Sequence, residues 1–288
     1  MTLDSHIHAR ILIACKDQPG IVAKISTTLF SLGANITESA QHTTNPLEGT
    51  FFMRIAFYIP RIESVKEVIQ DAFAPLIKQF SMQFQLFLEE ERKRFAIFVS
   101  REDHCLLELL WRQRSGEIQA DISMIVSNHP NHEQIAQQMN VPYYYIPVTP
   151  EKKLQSERQQ LQLLVGKVDF IVLARYMQIL SPQMVEQFPR RMINIHHSFL
   201  PAFVGAKPYE RAYERGVKII GATAHYVTAD LDAGPIIEQD VLRIDHGYSV
   251  KEMKAVGRQI ERTVLARAVR WHVEDRILVH DNKTIVFT

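Results

Sequence analysis

Cysteine is nearly absent from this sequence: Cys15 and Cys105 are the only two in 288 residues. A disulfide framework is thereby excluded as the basis of the fold, and a reducing compartment is the default. Blocks of like charge are missing too. The 33 Lys and Arg balance 32 Asp and Glu, for a formal net charge of +1, and the longest charged run is the mixed Glu89-Glu90-Glu91-Arg92-Lys93-Arg94. No basic stripe is offered to nucleic acid or to an anionic membrane surface. No window reaches the ~18 apolar residues of a spanning helix. The opening MTLDSHIHAR carries an early aspartate and no apolar stretch, so the expectation is a cytoplasmic protein without a leader or a membrane partner. Internal repeats and low-complexity segments are absent as well. What is present is an ordinary globular balance, 46% hydrophobic and 23% charged, in a length that suits one large or two modest domains.

The first 88 residues read as a unit. HARILIACK has strand character, with Ile11 and Ile13 on one face and Leu12 on the other. Asp17-Gln18-Pro19-Gly20 is a turn sequence. Ile21, Ile25, Leu29 and Leu32 then recur at helical spacing, and Gly33 stops the helix. Two alternating strands follow, over 34–43 and 50–59, around a loop at Asn45-Pro46 and Gly49. A helix over 64–80 and a last strand over 82–88 complete a β-α-β-β-α-β order, the ferredoxin-like arrangement. Residues 89–94 read as a solvated linker, and 95–288 as the second domain.

There the pattern changes. FAIFVS, ISMIVS, FIVLA and MINIHH are apolar runs of the kind buried on both faces, and they alternate with segments of helical spacing. This predicts a Rossmann-like, mostly parallel sheet in an α/β fold. Ligands of such sheets bind outside the carboxyl ends of the strands. A long final helix over 249–271 carries Val250, Met253, Val256, Ile260 and Val264 as its core stripe.

The richest strand end is Asn194-Ile195-His196-His197-Ser198-Phe199-Leu200-Pro201. Alternation puts Asn194 and His196 on one face. A buried strand has little reason to hold an Asn and two His unless they are satisfied or used. The plainer reading is a polar strand end met by solvent. Downstream, a strand over 221–227 runs into Thr228-Ala229-Asp230-Leu231-Asp232-Ala233-Gly234-Pro235, a short acidic loop.

Asn194-x-His196 with Ser198-Phe199-Leu200-Pro201, followed by Leu231-Asp232-x-Gly234-Pro235, resembles the folate-dependent formyltransferases. His197-Ser198-Phe199, Gly205-Ala206-Lys207-Pro208-Tyr209 and Asp103-His104-Cys105-Leu106 are most similar to the formyltetrahydrofolate deformylases within them. The first 88 residues resemble the ACT-type regulatory domain found in front of those enzymes. The resemblance implies Asn194, His196 and Asp232 as catalytic residues. It implies 10-formyltetrahydrofolate as the substrate, with no metal and no other cofactor. The released formate would feed purine synthesis, or the release of tetrahydrofolate would balance one-carbon pools. It also implies a homo-oligomer with methionine or glycine as effector, in a pocket near Asp17, Gly20, Ile21 and Asn35. A pairing platform without ligand is the alternative for that domain.

The residues suit this chemistry. Hydrolysis of a formamide builds a tetrahedral oxyanion and requires a proton on the leaving nitrogen. Asn and His N–H groups are suitable donors to the oxyanion. Asp232, partnered by His196, is expected to position and deprotonate the attacking water. The folate is expected against Met177, Gln178, Ile179 and Leu180, with Thr228 in the loop closing the other side. Met177, Ile179 and Leu180 are equally acceptable as ordinary core. His104 and His197 are placed at the mouth. Lys207 is either a partner for the folate carboxylates or a solvated side chain. Cys105 reads as structural, and His129-x-x-His132 as a surface loop too thin for a metal. Ser100-Arg101-Glu102-Asp103-His104-Cys105 has no glycine and two carboxylates, which is unlike a phosphate cradle. That favours water over a phosphorylated amine as acceptor and leaves a formyltransferase as the competing reading.

Overall fold

The computed structural model describes residues 5–45, 47–201 and 208–288. They form two compact units. The first is Met1–Arg92 with Asp275–His280 and Ile285–Thr288, and the second is Lys93–Glu274 with Asp281–Thr284. The division falls inside the expected linker, but the second domain is not 95–288. Two short tail segments return to the first unit because Leu278 and Phe287 are apolar and need cover, which they find on Leu12, Ala14 and Phe52. The linker acids are not merely solvated: Glu89, Glu90 and Glu91 pair with His8, Arg61 and Lys66.

In the first unit the chain runs β1 (His6–Lys16), α1 (Ile21–Ser31), β2 (Asn35–Thr43), β3 (Thr50–Pro60), α2 (Val65–Phe80) and β4 (Gln83–Leu88). The strands form an antiparallel sheet in the order β2-β3-β1-β4. Alternation along β1 decides the layering. Ile7, Ala9, Ile11 and Ile13 join Ile25 and Leu29 of α1 and Ile69 and Phe73 of α2 in one core. Leu12 and Ala14 face the opposite layer with Phe52. Gly20 precedes α1 at φ 91°, in the left-handed region that glycine enters without steric cost.

The second unit holds β5 (Arg94–Val99), α3 (His104–Arg114), β6 (Asp121–Ser127), α4 (Glu133–Gln138), β7 (Tyr143–Tyr145), α5 (Lys153–Leu164), β8 (Phe170–Leu173), α6 (Pro182–Glu186) and β9 (Met192–His196). α7 (Pro208–Arg215), β10 (Ile219–Tyr226), β11 (Ile236–Arg243) and α8 (Val250–Val273) follow. The tail adds β12 (Ile277–His280) and β13 (Lys283–Val286). Seven strands form one sheet in the order β11-β10-β9-β8-β5-β6-β7. β9, β8, β5, β6 and β7 are parallel, and β10 runs antiparallel to β9 and β11. Every residue of Phe95–Val99 is fully buried, as a strand covered on both faces requires. The order sets β5, β8 and β9 side by side, so their carboxyl ends open at one edge of the sheet. There, residues 100–103, 174–180 and 197–201 leave it.

α8 begins with a capping box, in which the Ser249 hydroxyl accepts from Glu252 N–H and the Glu252 carboxylate accepts from Ser249 N–H. Its buried face is Met253, Gly257, Ile260, Glu261 and Val264. Val256 is only half-buried, because a 3.6-residue repeat turns it off that stripe, and Val250 is half-buried at the first position of the helix. Glu261, a carboxylate 1% exposed, was not expected in a core stripe. Among the described residues no helix is long and apolar enough to cross a membrane.

Two imidazoles tie the stability of this unit to pH. His272 packs on Phe170, with ring centroids 4.6 Å apart, and its Nδ1 meets the Tyr226 hydroxyl at 2.9 Å. Burial, helped by Lys93, pushes it down to about 3. Burial, helped by Arg175, pushes His197 down to about 4. The unfolded chain therefore binds more protons than the folded one between these values and the ordinary 6.5. Stability is complete above that window and is lost as pH falls through it. Thermal unfolding should show a midpoint that declines steadily below pH 6.5. His272→Gln should make that decline shallower, and a midpoint flat down to pH 4 would contradict the assignment.

Candidate active site

Alternation along β9 turns Asn194 and His196 to one side and packs Ile193 into the core at 0% exposure. Antiparallel pairing with β10 sets His225 directly opposite Asn194. The loop after β10 then returns Asp232 to the same place. His196 Nδ1 lies 3.2 Å from Asp232 Oδ2, and His225 Nε2 lies 3.6 Å from Asp232 Oδ1. Asn194 Nδ2 is 3.2 Å from His225 Nε2, while His225 Nδ1 is 2.9 Å from the Tyr226 carbonyl oxygen. That carbonyl only accepts, so the proton sits on Nδ1 of His225 and Nε2 accepts from the Asn194 amide. His225 thus fixes which end of the Asn194 side chain faces the sheet.

Burial alone would raise the Asp232 carboxyl. The hydrogen bond accepted from His196 outweighs it and holds the group well below the usual carboxylate range. His196 Nε2 is buried and has no hydrogen-bond partner among the described residues. A base with its other nitrogen anchored on a carboxylate and a free lone pair is therefore poised at the wall of a cavity.

That cavity encloses about 390 Å³. Asn194, His196 and Asp232 line it together with Met177, Gln178, Ile179, Leu180, His197 and Thr228. Met177 and Ile179 are 56% and 61% exposed, so they are not core. Leu180 is half-buried against the central cluster. The segment is anchored from the next strand end, since Met177 N–H donates to the Ser100 hydroxyl at 2.9 Å, and that hydroxyl donates to Asn128 Oδ1 at 2.7 Å.

The loop carrying Asp232 depends on a close approach. A Cβ on Gly234 would stand 1.8 Å from the Tyr226 carbonyl oxygen. Asp232 itself has φ 54°, a left-handed conformation that aspartate tolerates. Gly234→Ala is expected to shift the loop and lower kcat by about 10²-fold, the scale of a misplacement near 1 Å. Steady-state kinetics alongside a melting curve would check this. Wild-type kcat in the variant would contradict the role given to the close approach.

Several expected residues lie elsewhere. His104 is not in this cavity. It is 8% exposed, its Nε2 meets Glu261 Oε2 at 2.8 Å, and it lines a second cavity of about 230 Å³. It starts α3, whose buried face turns it inward against α8. Lys207 falls outside the described residues. His132 is not on a surface loop: it is 4% exposed, with Nε2 2.8 Å from the Ser100 carbonyl oxygen. In the first unit, Asp17 is half-buried, Gly20 and Asn35 are exposed, and Ile21 is a core residue at 2% exposure.

Four residues were not anticipated: Arg175, Tyr209, His225 and Glu261. His225 alternates with Thr223 along its strand, and Glu261 is an acid inside an otherwise apolar helical stripe. Both signals are visible in the sequence. Among the described residues one group has metal-ligand composition, His104, Cys105 and Glu261, with possible ligand atoms within 4.8 Å of one another. It fits a metal poorly. Arg175 Nε already lies 3.4 Å from Glu261 Oε2 and supplies the positive charge. Burial and then Glu261 push the Cys105 thiol far up, away from the thiolate a metal requires.

Comparison with known proteins agrees with this layout. The Formyl transferase family profile matches residues 93–269, and the ACT domain profile matches residues 9–74. The chain is 54% identical over 279 residues to the formyltetrahydrofolate deformylase of Bacillus subtilis, covering 96% of this chain and 93% of that one. The crystal structure of a formyltetrahydrofolate deformylase from Pseudomonas syringae superposes with a TM-score of 0.93 at 46% identity, covering 98% and 95% of the two chains. A glycinamide ribonucleotide transformylase from Symbiobacterium toebii superposes with a TM-score of 0.66 at 27% identity, over 71% of this chain and 98% of that one.

Proposed function

The chain belongs to the formyltetrahydrofolate deformylases, formyl transferase proteins with an ACT domain in front, and from that membership we propose hydrolysis of 10-formyltetrahydrofolate to formate and tetrahydrofolate as its reaction. One observation carries the mechanism: His196 lines the main cavity with its Nε2 unpartnered among the described residues, while its Nδ1 is held by Asp232. Water attacks the formyl carbon and passes a proton to His196 Nε2. Asp232 accepts the Nδ1 hydrogen bond and stabilises the imidazolium that forms. The free N–H of Asn194 donates to the oxyanion. His196 returns its proton to the folate nitrogen as the carbon–nitrogen bond breaks, and formic acid leaves and gives up its proton to solvent as formate. This revises the proton acceptor from Asp232 to His196, because a carboxylate held far below its usual range is the weaker base. No step draws on a metal.

Transfer of the formyl group to an amine is the second reading, favoured by the likeness to the transformylase. Against it stands the segment between β5 and α3, which reads Ser100-Arg101-Glu102-Asp103 and offers no glycine to an acceptor phosphate. The deciding experiment mixes protein, 10-formyltetrahydrofolate and a chelator without any amine. Equal release of formate and tetrahydrofolate supports the hydrolase. Release only after an amine is added makes the chain a transferase.

The front domain is proposed to bind methionine or glycine in a homo-oligomer, with the formate directed to purine synthesis. An effector acting there must bind two states of the enzyme unequally. Asp17, Gly20 and Asn35 remain its proposed contacts.

A further inference from the structure

The second cavity adjoins the first, and Arg175 and His197 line both. Its cations are Arg175, Lys254 and Arg258, and each is matched by a carboxylate. Arg175 Nε is 3.4 Å from Glu261, Lys254 Nζ is 2.6 Å from Glu210, and Arg258 Nε is 3.2 Å from Glu102. Lys254, Arg258 and Glu261 follow one another at helical spacing along α8. The pairs differ in depth. Side-chain exposure is 13% for Arg175 against 44% for Lys254 and 51% for Arg258. The inner guanidinium is also the under-satisfied one: Nε and Nη1 of Arg175 are buried and have no hydrogen-bond partner among the described residues.

That arrangement calls for an explanation. Buried donors without acceptors are costly, and the cost is larger for a charged group. Glu261 does not relieve it. Its two oxygens are taken by His104 Nε2 and the Tyr209 hydroxyl, each at 2.8 Å, and it approaches Arg175 only at 3.4 Å. The Tyr209 contact is itself arranged, since a Cβ on Gly257 would stand 2.0 Å from the Tyr209 hydroxyl. Neighbouring His197 is kept neutral by its burial beside Arg175. A one-unit cation with free donors therefore sits at the junction between the reaction cavity and a second cavity whose outer wall carries two exposed cations.

We propose that the second cavity is the product side of the site, binding formate as a small carboxylate on the Arg175 guanidinium and releasing it past Lys254 and Arg258. The identity of the anion rests on the hydrolase reading above; the anion subsite itself does not. A guanidinium is the side chain best matched to a planar carboxylate, through paired N–H donors. Glu261 holds Arg175 in place between turnovers and keeps the empty site close to neutral. The cavity then takes an anion of one charge and three heavy atoms.

Two readouts on the full chain test this. The first is product inhibition by sodium formate. The second is saturation transfer from protein protons to the formate proton, which needs no turnover. Arg175→Lys keeps the charge and loses the fork. Arg175→Met with Glu261→Gln removes both partners together and leaves no lone buried charge. Either variant should raise the formate inhibition constant by at least about tenfold, or about 1.4 kcal/mol, and abolish saturation transfer. The inhibition constant for tetrahydrofolate should rise by less than that for formate. Formate transfer equal in wild type and both variants would overturn the proposal, as would a wild type that shows none at millimolar formate. If the protein releases no formate without an amine but still binds it through Arg175, the hydrolase reading falls and the anion subsite stands.

Discussion

Asp232→Asn is expected to lower kcat by roughly 10³–10⁴-fold while leaving the fold intact, the scale seen when the carboxylate behind a catalytic histidine becomes an amide. The cause is geometric and electrostatic. Asp232 accepts from His196 at 3.2 Å and approaches His225 at 3.6 Å. An amide in its place can turn its NH2 toward His196 Nδ1, and it removes the charge that stabilises the imidazolium. The His196 tautomer is then no longer fixed with its lone pair toward the cavity. Because Asp232 lies well below the ordinary carboxylate range, its own protonation leaves no mark on the pH profile in the working range. Single-turnover kinetics and a melting curve on the same preparation would measure both halves of the claim. A variant within tenfold of wild type would remove Asp232 from the mechanism and leave only the fold assignment.

Much of the architecture was legible because periodicity records burial. Along β1 the residues alternate between two apolar layers, so the sequence reads as a strand with two faces, and both prove to be covered. Phe95–Val99 reads as a strand covered on both sides for the same reason. The two short tail segments were not legible. Four-residue strands carry too little pattern, and their burial depends on Leu12 and Phe52, more than two hundred residues away in the chain. Spacing along one element cannot report a partner at that distance.

The site divides along the same line. Asn194 and His196 share a strand face, and their relation follows from alternation alone. Asp232 required the resemblance, since nothing local says that its loop returns to β9. His225 was within reach, being an imidazole at an inward position of a strand, but its value comes from the register that sets it against Asn194. Arg175, Tyr209 and Glu261 belong to three separate elements. An arginine after a strand and a glutamate in a helix look like solvated charges until the sheet order brings them within 3.4 Å. His104 was misplaced through the same gap. Its position at a helix start pointed to the mouth of the site, whereas the inward face of α3 turns it to Glu261.

The strongest test of the unit formed by His196 and Asp232 is their combination. His196→Ala is expected to lower kcat by roughly 10²–10⁴-fold, the contribution of one positioned proton carrier. If Asp232 acts only through His196, then Asp232→Asn adds little once the imidazole is gone. The double variant should be about as slow as the slower single variant, and the two effects should fail to multiply. Independent action predicts the opposite, a double variant slower by the product of the two. Residual turnover in the double variant measures what Asn194 and substrate positioning supply by themselves. His225 keeps Asn194 oriented through a bond that neither change touches. Adding Asn194→Ala to the double variant should therefore lower the rate further, by about 10²-fold for one lost oxyanion donor. A triple variant no slower than the double would place Asn194 outside the oxyanion's reach and return it to a structural role beside His225.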